Sequence, residues 1–328
     1  MEFRLDEGQV ALQQTVARFC ADRFDLDGVV AREGRPVDRG HWREMAALGV
    51  FGLLLAEREG GTGLGAVEAA LVFEQLGSHL APGPVLWTLL AAPLVDGAAA
   101  GERLVGGVAA ADVVAGSALV EHARDLDALL VLGPDGVVLH RMDALAPPEP
   151  LDPLDPLTPV GRVTGLGDGE AVCGPEVAAR LRVLGTVLSA AMLAGIAARA
   201  LDVARAYALE RHQFGVPIGS FQAVKHLLAD MYLHSGLAQS ATYAAAAMVQ
   251  EPGSDDPARA ASAAKLLAAE AAIGGAGTAI QILGGMGFTW DMLPNHLLKR
   301  AWVLEQSFGD ADHHAAEIGA AALVEARR

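Results

Sequence analysis

From Pro175 onward the sequence constrains the fold most, because it reads as four long helical stretches in succession. They run roughly Pro175–Glu210, Ser220–Gln250, Pro257–Leu283 and Leu293–Ala326. Alanines cluster within them, as at Ala244 to Ala247 and at Ala260, Ala261, Ala263 and Ala264, so helices can approach closely. The segment Glu251-Pro252-Gly253-Ser254-Asp255-Asp256-Pro257 is a clear connection. Together these features predict a four-helix bundle.

The junction between the first two stretches is the most informative run, Arg211 to Tyr232, RHQFGVPIGSFQAVKHLLADMY. It follows an Ala-rich helical segment and passes through a loop built on Gly215, Pro217 and Gly219. A second helix then starts near Ser220, a good N-cap because its hydroxyl can accept from a free first-turn N–H. Phe221, Val224, Leu227, Leu228 and Met231 recur at helical spacing. A guanidinium at a helix end, a loop of close backbone approach and a helix N-terminus form a plausible anion site, since arginine's planar fork suits phosphate. A simple capped helix pair explains much of the same pattern.

The order of residues carries more. Arg211, Gln213-Phe214-Gly215, Pro217-Ile218, Phe221-Gln222, Lys225 and Ala229-Asp230-Met231 resemble the signature of the acyl-CoA dehydrogenases. Downstream, Gln281-Ile282-Leu283-Gly284-Gly285-Met286-Gly287-Phe288 resembles that family's glycine-rich segment. The resemblance implies that the first segment grips the ADP portion of an FAD bound mainly by a neighbouring subunit. The second segment lies along the adenosine half. Carried over residue by residue, it implies FAD contacts from Arg211, Gln213, Phe214, Gln222, Gln281, Gly284 and Gly285, with Arg211 facing phosphate.

The first hundred residues also read as helical. Phe3 and Leu5 lead into a helix from about Asp6 to Asp25, His41 to Leu48 forms another, and Ala66 to Leu80 a third. Gly60, Gly61, Gly63 and Gly65 make a loop, and without a Lys-Ser/Thr they are no phosphate loop. Trp42, Leu48-Gly49, Gly52-Leu53, Gly60-Gly61-Thr62-Gly63, Glu74-Gln75-Leu76-Gly77 and Leu80-Ala81-Pro82 follow the order of the family's N-terminal helical domain. Trp42 reads as a core aromatic and Glu74 as part of a solvated helix face.

From Gly101 to Gly174 the character changes to aliphatic runs: Leu104–Val114, Ala128–Leu132 and Val137–Leu139. Gly133-Pro134-Asp135-Gly136 makes a hairpin turn between the last two, and Pro147–Pro159 reads as an irregular surface path. The expected class is therefore mainly α with a small, mostly antiparallel β domain. The domains expected are 1–100 (N-terminal helical), 101–174 (β) and 175–328 (four-helix bundle). Here the chain departs from the family. The Thr-Glu-Pro segment with Gly-Ser-Asp and the Trp-Ile-Thr strand, which contact the flavin ring in typical members, do not occur in 101–174. The β domain is accordingly truncated.

The resemblance also sets out what catalysis requires. Flavin accepts a hydride from Cβ of an acyl-CoA thioester while a carboxylate takes the Cα proton. Counting from Lys299-Arg300-Ala301, the usual base position falls on Phe308, and the alternative site on the first bundle helix falls near Gly185. No Asp or Glu occurs between Leu181 and Ala190. Glu305 and Asp310 are weak substitutes, and Asp312, His313 and His314 follow them. Adjacent histidines diverge by about 100° on a helix, which argues against a shared metal site. Trp290, in Phe288-Thr289-Trp290-Asp291, reads as packing.

A net charge of −16 argues against nonspecific binding to nucleic acid or anionic membranes. Mean hydropathy is +0.32, inflated by alanine, and no run of about 18 uninterrupted strongly apolar residues suggests a membrane span. Cys20 and Cys173 show no metal spacing. No secretory signal pattern is evident, so a cytoplasmic location is the default expectation. The reading that follows is an acyl-CoA dehydrogenase subunit, for an acyl-CoA substrate. FAD sits at an interface with a fuller homologue that supplies the base, and electron-transfer flavoprotein is the acceptor. The alternatives are a homomeric flavoenzyme using Glu305 or Asp310, or a non-catalytic structural homologue.

Overall fold

A computed structural model describes residues 5–251 and 253–325. Phe3, Pro252 and the expected helix end at Ala326 lie outside them. The helices α1 (Glu7–Arg23), α2 (Arg39–Ala47), α3 (Ala66–Ser78) and α4 (Val85–Ala91) precede seven strands. These are β1 (Val105–Ala109), β2 (Ser117–Glu121), β3 (Ala128–Leu132), β4 (Val137–Arg141), β5 (Glu149–Leu151), β6 (Val160–Thr164) and β7 (Glu170–Cys173). Then come α5 (Pro175–Glu210), the short hairpin β8 (His212–Gln213) and β9 (Val216–Pro217), α6 (Gln222–Gln250), α7 (Pro257–Leu283), α8 (Leu293–Gln306) and α9 (Ala311–Glu325). The chain divides into two compact units: residues 32–69 with 82–185, and residues 1–31 with 70–81 and 186–328.

The first of these units holds the sheets, ordered β1-β3-β4-β7 and β2-β6-β5. The β3–β4 hairpin turns through Gly133–Gly136 as expected. Leu104–Val114 is not one strand, however: β1 stops at Ala109 and a helical turn occupies Ala110–Asp112. β1 also pairs parallel to β3, the exception in a set that is otherwise antiparallel. Pro147–Pro159 is less irregular and less superficial than expected. It contains β5, and Asp155, Leu157 and Thr158 are buried, with Asp155 accepting from Leu157 N at 3.0 Å and from Thr158 Oγ1 at 2.7 Å. Trp42 is a core residue, its ring centroid 4.4 Å from that of Phe51. Arg39 ties α2 to the sheet through a two-pronged bond to Asp127, the shorter arm 2.7 Å. Asp127 also accepts from Leu104 N.

The second unit is the bundle. α5 and α7 are long and apolar enough to cross a membrane by length and composition, but 78% of the α5 window is buried within the protein, as a central bundle helix requires. The end of α3 crosses α5 so closely that a methyl group at Gly77 would overlap the Met192 backbone, and one at Gly195 the Glu74 carbonyl. Two glycines thus make a backbone-to-backbone crossing that alanine could not. At the same crossing Arg199 donates to Ser78 O at 3.1 Å and approaches His79 Nε2 at 3.0 Å. The expected fourth helix, Leu293–Ala326, is in fact two. Ser307 is extended, and Phe308 and Gly309 have φ of 60° and 106°, so the chain turns there and restarts as α9.

Candidate functional site

Arg211 is the first residue beyond α5, and its side chain is exposed. Ile218 N donates back to Arg211 O at 2.8 Å, which closes the little hairpin. Phe214 and Gly215 form its tip with φ of 52° and 82°, the left-handed pair that a two-residue hairpin turn of the primed type needs. The turn holds Phe214 outward at 93% exposure, and the Phe221 ring lies edge-on to it with centroids 6.3 Å apart. Exposure of a whole phenylalanine on a left-handed backbone is costly in an isolated chain. Gln213 and Gln222 are exposed beside it.

Ser220 does not cap α6. It lies in a short 3-10 turn and its hydroxyl donates to Pro217 O at 2.7 Å, while Phe221 takes the cap position with no side-chain bond. The first-turn N–H groups of α6 are therefore left to outside acceptors. α6 and α7 pack against each other across the short connection at 251–256, so they run antiparallel. The end of α7 thus lies at the same end of the bundle as the start of α6. Gln281 is exposed there, followed by Gly284 and Gly285. Gly284 has φ of 66°, whereas Gly285 has no such constraint, and a methyl group on either would meet nothing within 4 Å. Neither backbone strain nor internal packing therefore demands glycine at 285. A partner that presses against the backbone would demand it.

Asn295 steadies the following loop, its Nδ2 donating to Gly287 O at 2.7 Å and Thr289 O at 2.8 Å. Trp290 is not packed inside: it is half exposed, with Lys299 Nζ 3.2 Å from its ring centroid. Beside the hairpin, Leu201, Arg205, Ala208, Leu228 and Tyr232 line an apolar groove of about 360 Å³ in which Arg205 is the one charge.

The acidic residues beside Phe308 serve a helix. Asp310 Oδ1 accepts from His313 N and Glu305 Oε1 from Ala311 N, both at 2.8 Å, so both carboxylates cap α9. His314 is buried on Ser262 Oγ at 3.0 Å, while His313 is exposed. No group of three His, Cys, Asp or Glu placed to hold a metal ion occurs among the described residues.

Among the buried ionisable residues, Glu74 and Lys265 matter most here, and the sequence reading placed neither inside. Glu74 is not on a solvated face. It is 4% exposed and accepts from Tyr243 OH at 2.5 Å and Gln239 Nε2 at 3.0 Å. Burial holds its carboxyl above the ordinary carboxylate range, against the lowering effect of those two donors, and burial likewise pushes the Tyr243 phenol up. Lys265 is buried within α7, and burial lowers its ammonium to about 7. The available signal was position, and it was weak: both stand in mostly apolar stretches, Ala69–Leu76 and Ala260–Ala272, that also carry Gln75, Ser262 and Glu270.

Comparison with known proteins gives this geometry its context. Residues 6–98 match the model of the acyl-CoA dehydrogenase N-terminal domain, and residues 178–323 that of the acyl-CoA dehydrogenase C-terminal domain. The chain belongs to the acyl-CoA dehydrogenase family. It is 32% identical over 315 residues to acyl-CoA dehydrogenase IpdE2 of Mycolicibacterium smegmatis, covering 93% of this chain and 96% of that one. Among solved structures, the ChsE4-ChsE5 complex of Mycobacterium tuberculosis matches with a TM-score of 0.85 at 26% identity, over 97% of this chain and 98% of its own. Butyryl-CoA dehydrogenase of Megasphaera elsdenii matches with a TM-score of 0.82 at 21% identity, over 98% and 100%, and shares the fold. Acyl-CoA dehydrogenases are flavin-dependent oxidoreductases that desaturate acyl-CoA thioesters, and this chain is an enzyme of that class. The exposed cation, the uncapped helix start and the open glycine backbone fit the ADP half of FAD.

Proposed function

We propose that this chain is one subunit of a heteromeric, FAD-dependent acyl-CoA dehydrogenase. It offers Arg211, Gln213, Phe214, Gln222, Gln281, Gly284 and Gly285 to the ADP half of the cofactor at a subunit interface. A fuller homologous subunit carries the flavin platform and the base. When bound, the flavin supplies the hydride acceptor for Cβ of the thioester. Arg211 would hold pyrophosphate in a charge-assisted bond, and the Gln213, Gln222 and Gln281 amides and the open backbone at Gly285 would hold the adenosine half.

The observation that carries this reading is the asymmetry of the chain. Arg211, Gln213, Phe214, Gln222, Gln281, Gly284 and Gly285 are all exposed, whereas residue 308 is a phenylalanine and the carboxylates of Glu305 and Asp310 beside it cap α9, which supports the reading that the base comes from elsewhere. Likeness to the ChsE4-ChsE5 complex supports a two-chain assembly. Electron-transfer flavoprotein is the acceptor in this scheme.

The experiment is a visible absorption spectrum of the chain purified alone and co-purified with a homologue encoded beside it. Flavin bands confined to the co-purified complex are expected, and Arg211→Ala should lower FAD retention there by about tenfold, the loss of one charge-assisted bond. Stoichiometric flavin and turnover in the chain alone would favour the homomeric reading with Glu305 or Asp310 as base. Unchanged FAD content in Arg211→Ala would refute the assignment of that residue.

A further inference from the structure

The corner between α8 and α9 is held from inside the bundle. A helix end leaves carbonyls without amide partners. Beyond it, Phe308 sits in left-handed backbone at φ of 60°, which costs a phenylalanine on the order of 1–2 kcal/mol. Such conformations persist where the surroundings over-determine them. Lys265 provides that constraint. Its side chain is 1% exposed, and Nζ donates to Leu304 O at 2.7 Å, to Ser307 O, and to Ser189 Oγ at 2.9 Å. Ser189 Oγ in turn donates to Leu304 O at 3.1 Å. Three N–H donors thus meet three oxygens contributed by α5 and by the end of α8. A cation at a helix C-terminus is also favoured by the helix dipole.

We propose that Lys265 is the positioning residue of this corner: its ammonium fixes the Leu304 and Ser307 carbonyls and, through them, the backbone of Phe308. That Phe308 stands where a relative's base would stand rests on the family reading above; the corner's dependence on Lys265 does not.

Glu305 on α8 lies close enough to favour the charge of this ammonium, and His314 on α9 lies close enough to be held neutral by it. α5 and α7 add the hydroxyls of Ser189 and Ser262. α6 adds no charge: its buried residues are Met231, Ala238, Thr242, Ala245 and Ala246. Burial and the nearby Lys265 hold His314 at about 4, so it stays neutral around pH 7.

The test follows the Phe308 amide resonance of the full chain, labelled with ¹⁵N-phenylalanine and assigned through Phe308→Leu, from about pH 5.5 to 9. The resonance should titrate with a midpoint near 7 in the wild type and in His313→Asn, and should not titrate in Lys265→Met. In Lys265→Met, amide exchange at His313 and His314 should quicken by about tenfold while Thr242 and Ala245 keep their protection. A titration that persists in Lys265→Met, or an equal loss of protection at all four amides, overturns the proposal. If Lys265→Met does not fold, Ser189→Ala removes one acceptor of the ammonium, and should lower the midpoint and quicken exchange at the corner alone. No change in that variant overturns it equally.

Discussion

Replacing Lys265 by methionine should change how stability depends on pH, and the sign follows from burial. The ammonium titrates at about 7 in the native chain, against an ordinary 10.5 for lysine. Between these values the unfolded chain binds more protons than the native one, so native stability rises with pH. A difference of about 3.5 units at 1.36 kcal/mol each puts the total near 5 kcal/mol. That is a ceiling, because the three oxygens around Nζ favour the charged form and work against desolvation. From about pH 6 to 9 the same relation gives the wild type a gain of about 2–3 kcal/mol from this group. Methionine has nothing to titrate. Urea unfolding of both proteins at fixed concentration should therefore show the wild type gaining on Lys265→Met by that amount as pH rises across the window. The phenol of Tyr243 lies above this range and does not enter it. A stability difference that stays flat within about 0.5 kcal/mol would show that the ammonium is not desolvated as its burial requires.

Three further outcomes test the remaining buried and open positions. Glu74→Leu removes the acceptor that the half-buried Tyr243 hydroxyl and Gln239 amide share and should cost about 1–3 kcal/mol by urea unfolding. Because burial raises the Glu74 carboxyl, the native chain binds the extra proton just above pH 4.5; stability falls there as pH rises, and Glu74→Gln should remove that fall. A methyl group at Gly285 meets nothing within 4 Å among the described residues beyond its chain neighbours, so the melting temperature of Gly285→Ala should match or slightly exceed that of the wild type while FAD retention by the assembled complex drops. Retained FAD in Gly285→Ala would mean that nothing presses on that backbone.

Much of the fold was legible because it rests on local chemistry. α5 and α7 begin and end where proline starts them and a polar or glycine residue follows, and the β3–β4 hairpin is written in Gly133–Gly136. Family membership was equally readable, since the order of residues from Arg211 to Gln222 carries the resemblance. What failed was non-local. Glu74 belongs to a charged residue type that is usually solvated, and its partners lie 165 and 169 residues away. Phe308 fits a helical pattern, and the break there depends on a lysine 42 residues upstream of Ser307 that bonds to carbonyl oxygens, groups every residue carries. Side-chain pattern cannot register a partner that is backbone.

That distinction bears on the proposal that this chain leaves the base to a partner. The corner at Phe308 is built by Lys265, Ser189 and the left-handed turn at Phe308 and Gly309, whatever side chain stands at 308. A chain released from all function would have no need for a buried ammonium there, because desolvating it is costly and an apolar side chain of similar volume packs as well. Nor would it need a phenylalanine held out at 93% exposure beside an exposed arginine. On the proposed reading the features this chain keeps are geometric, and the chemical one, proton transfer, belongs to the partner subunit. A subunit that completes a cofactor site shared with a catalytic homologue meets both conditions; a drifting structural remnant meets neither.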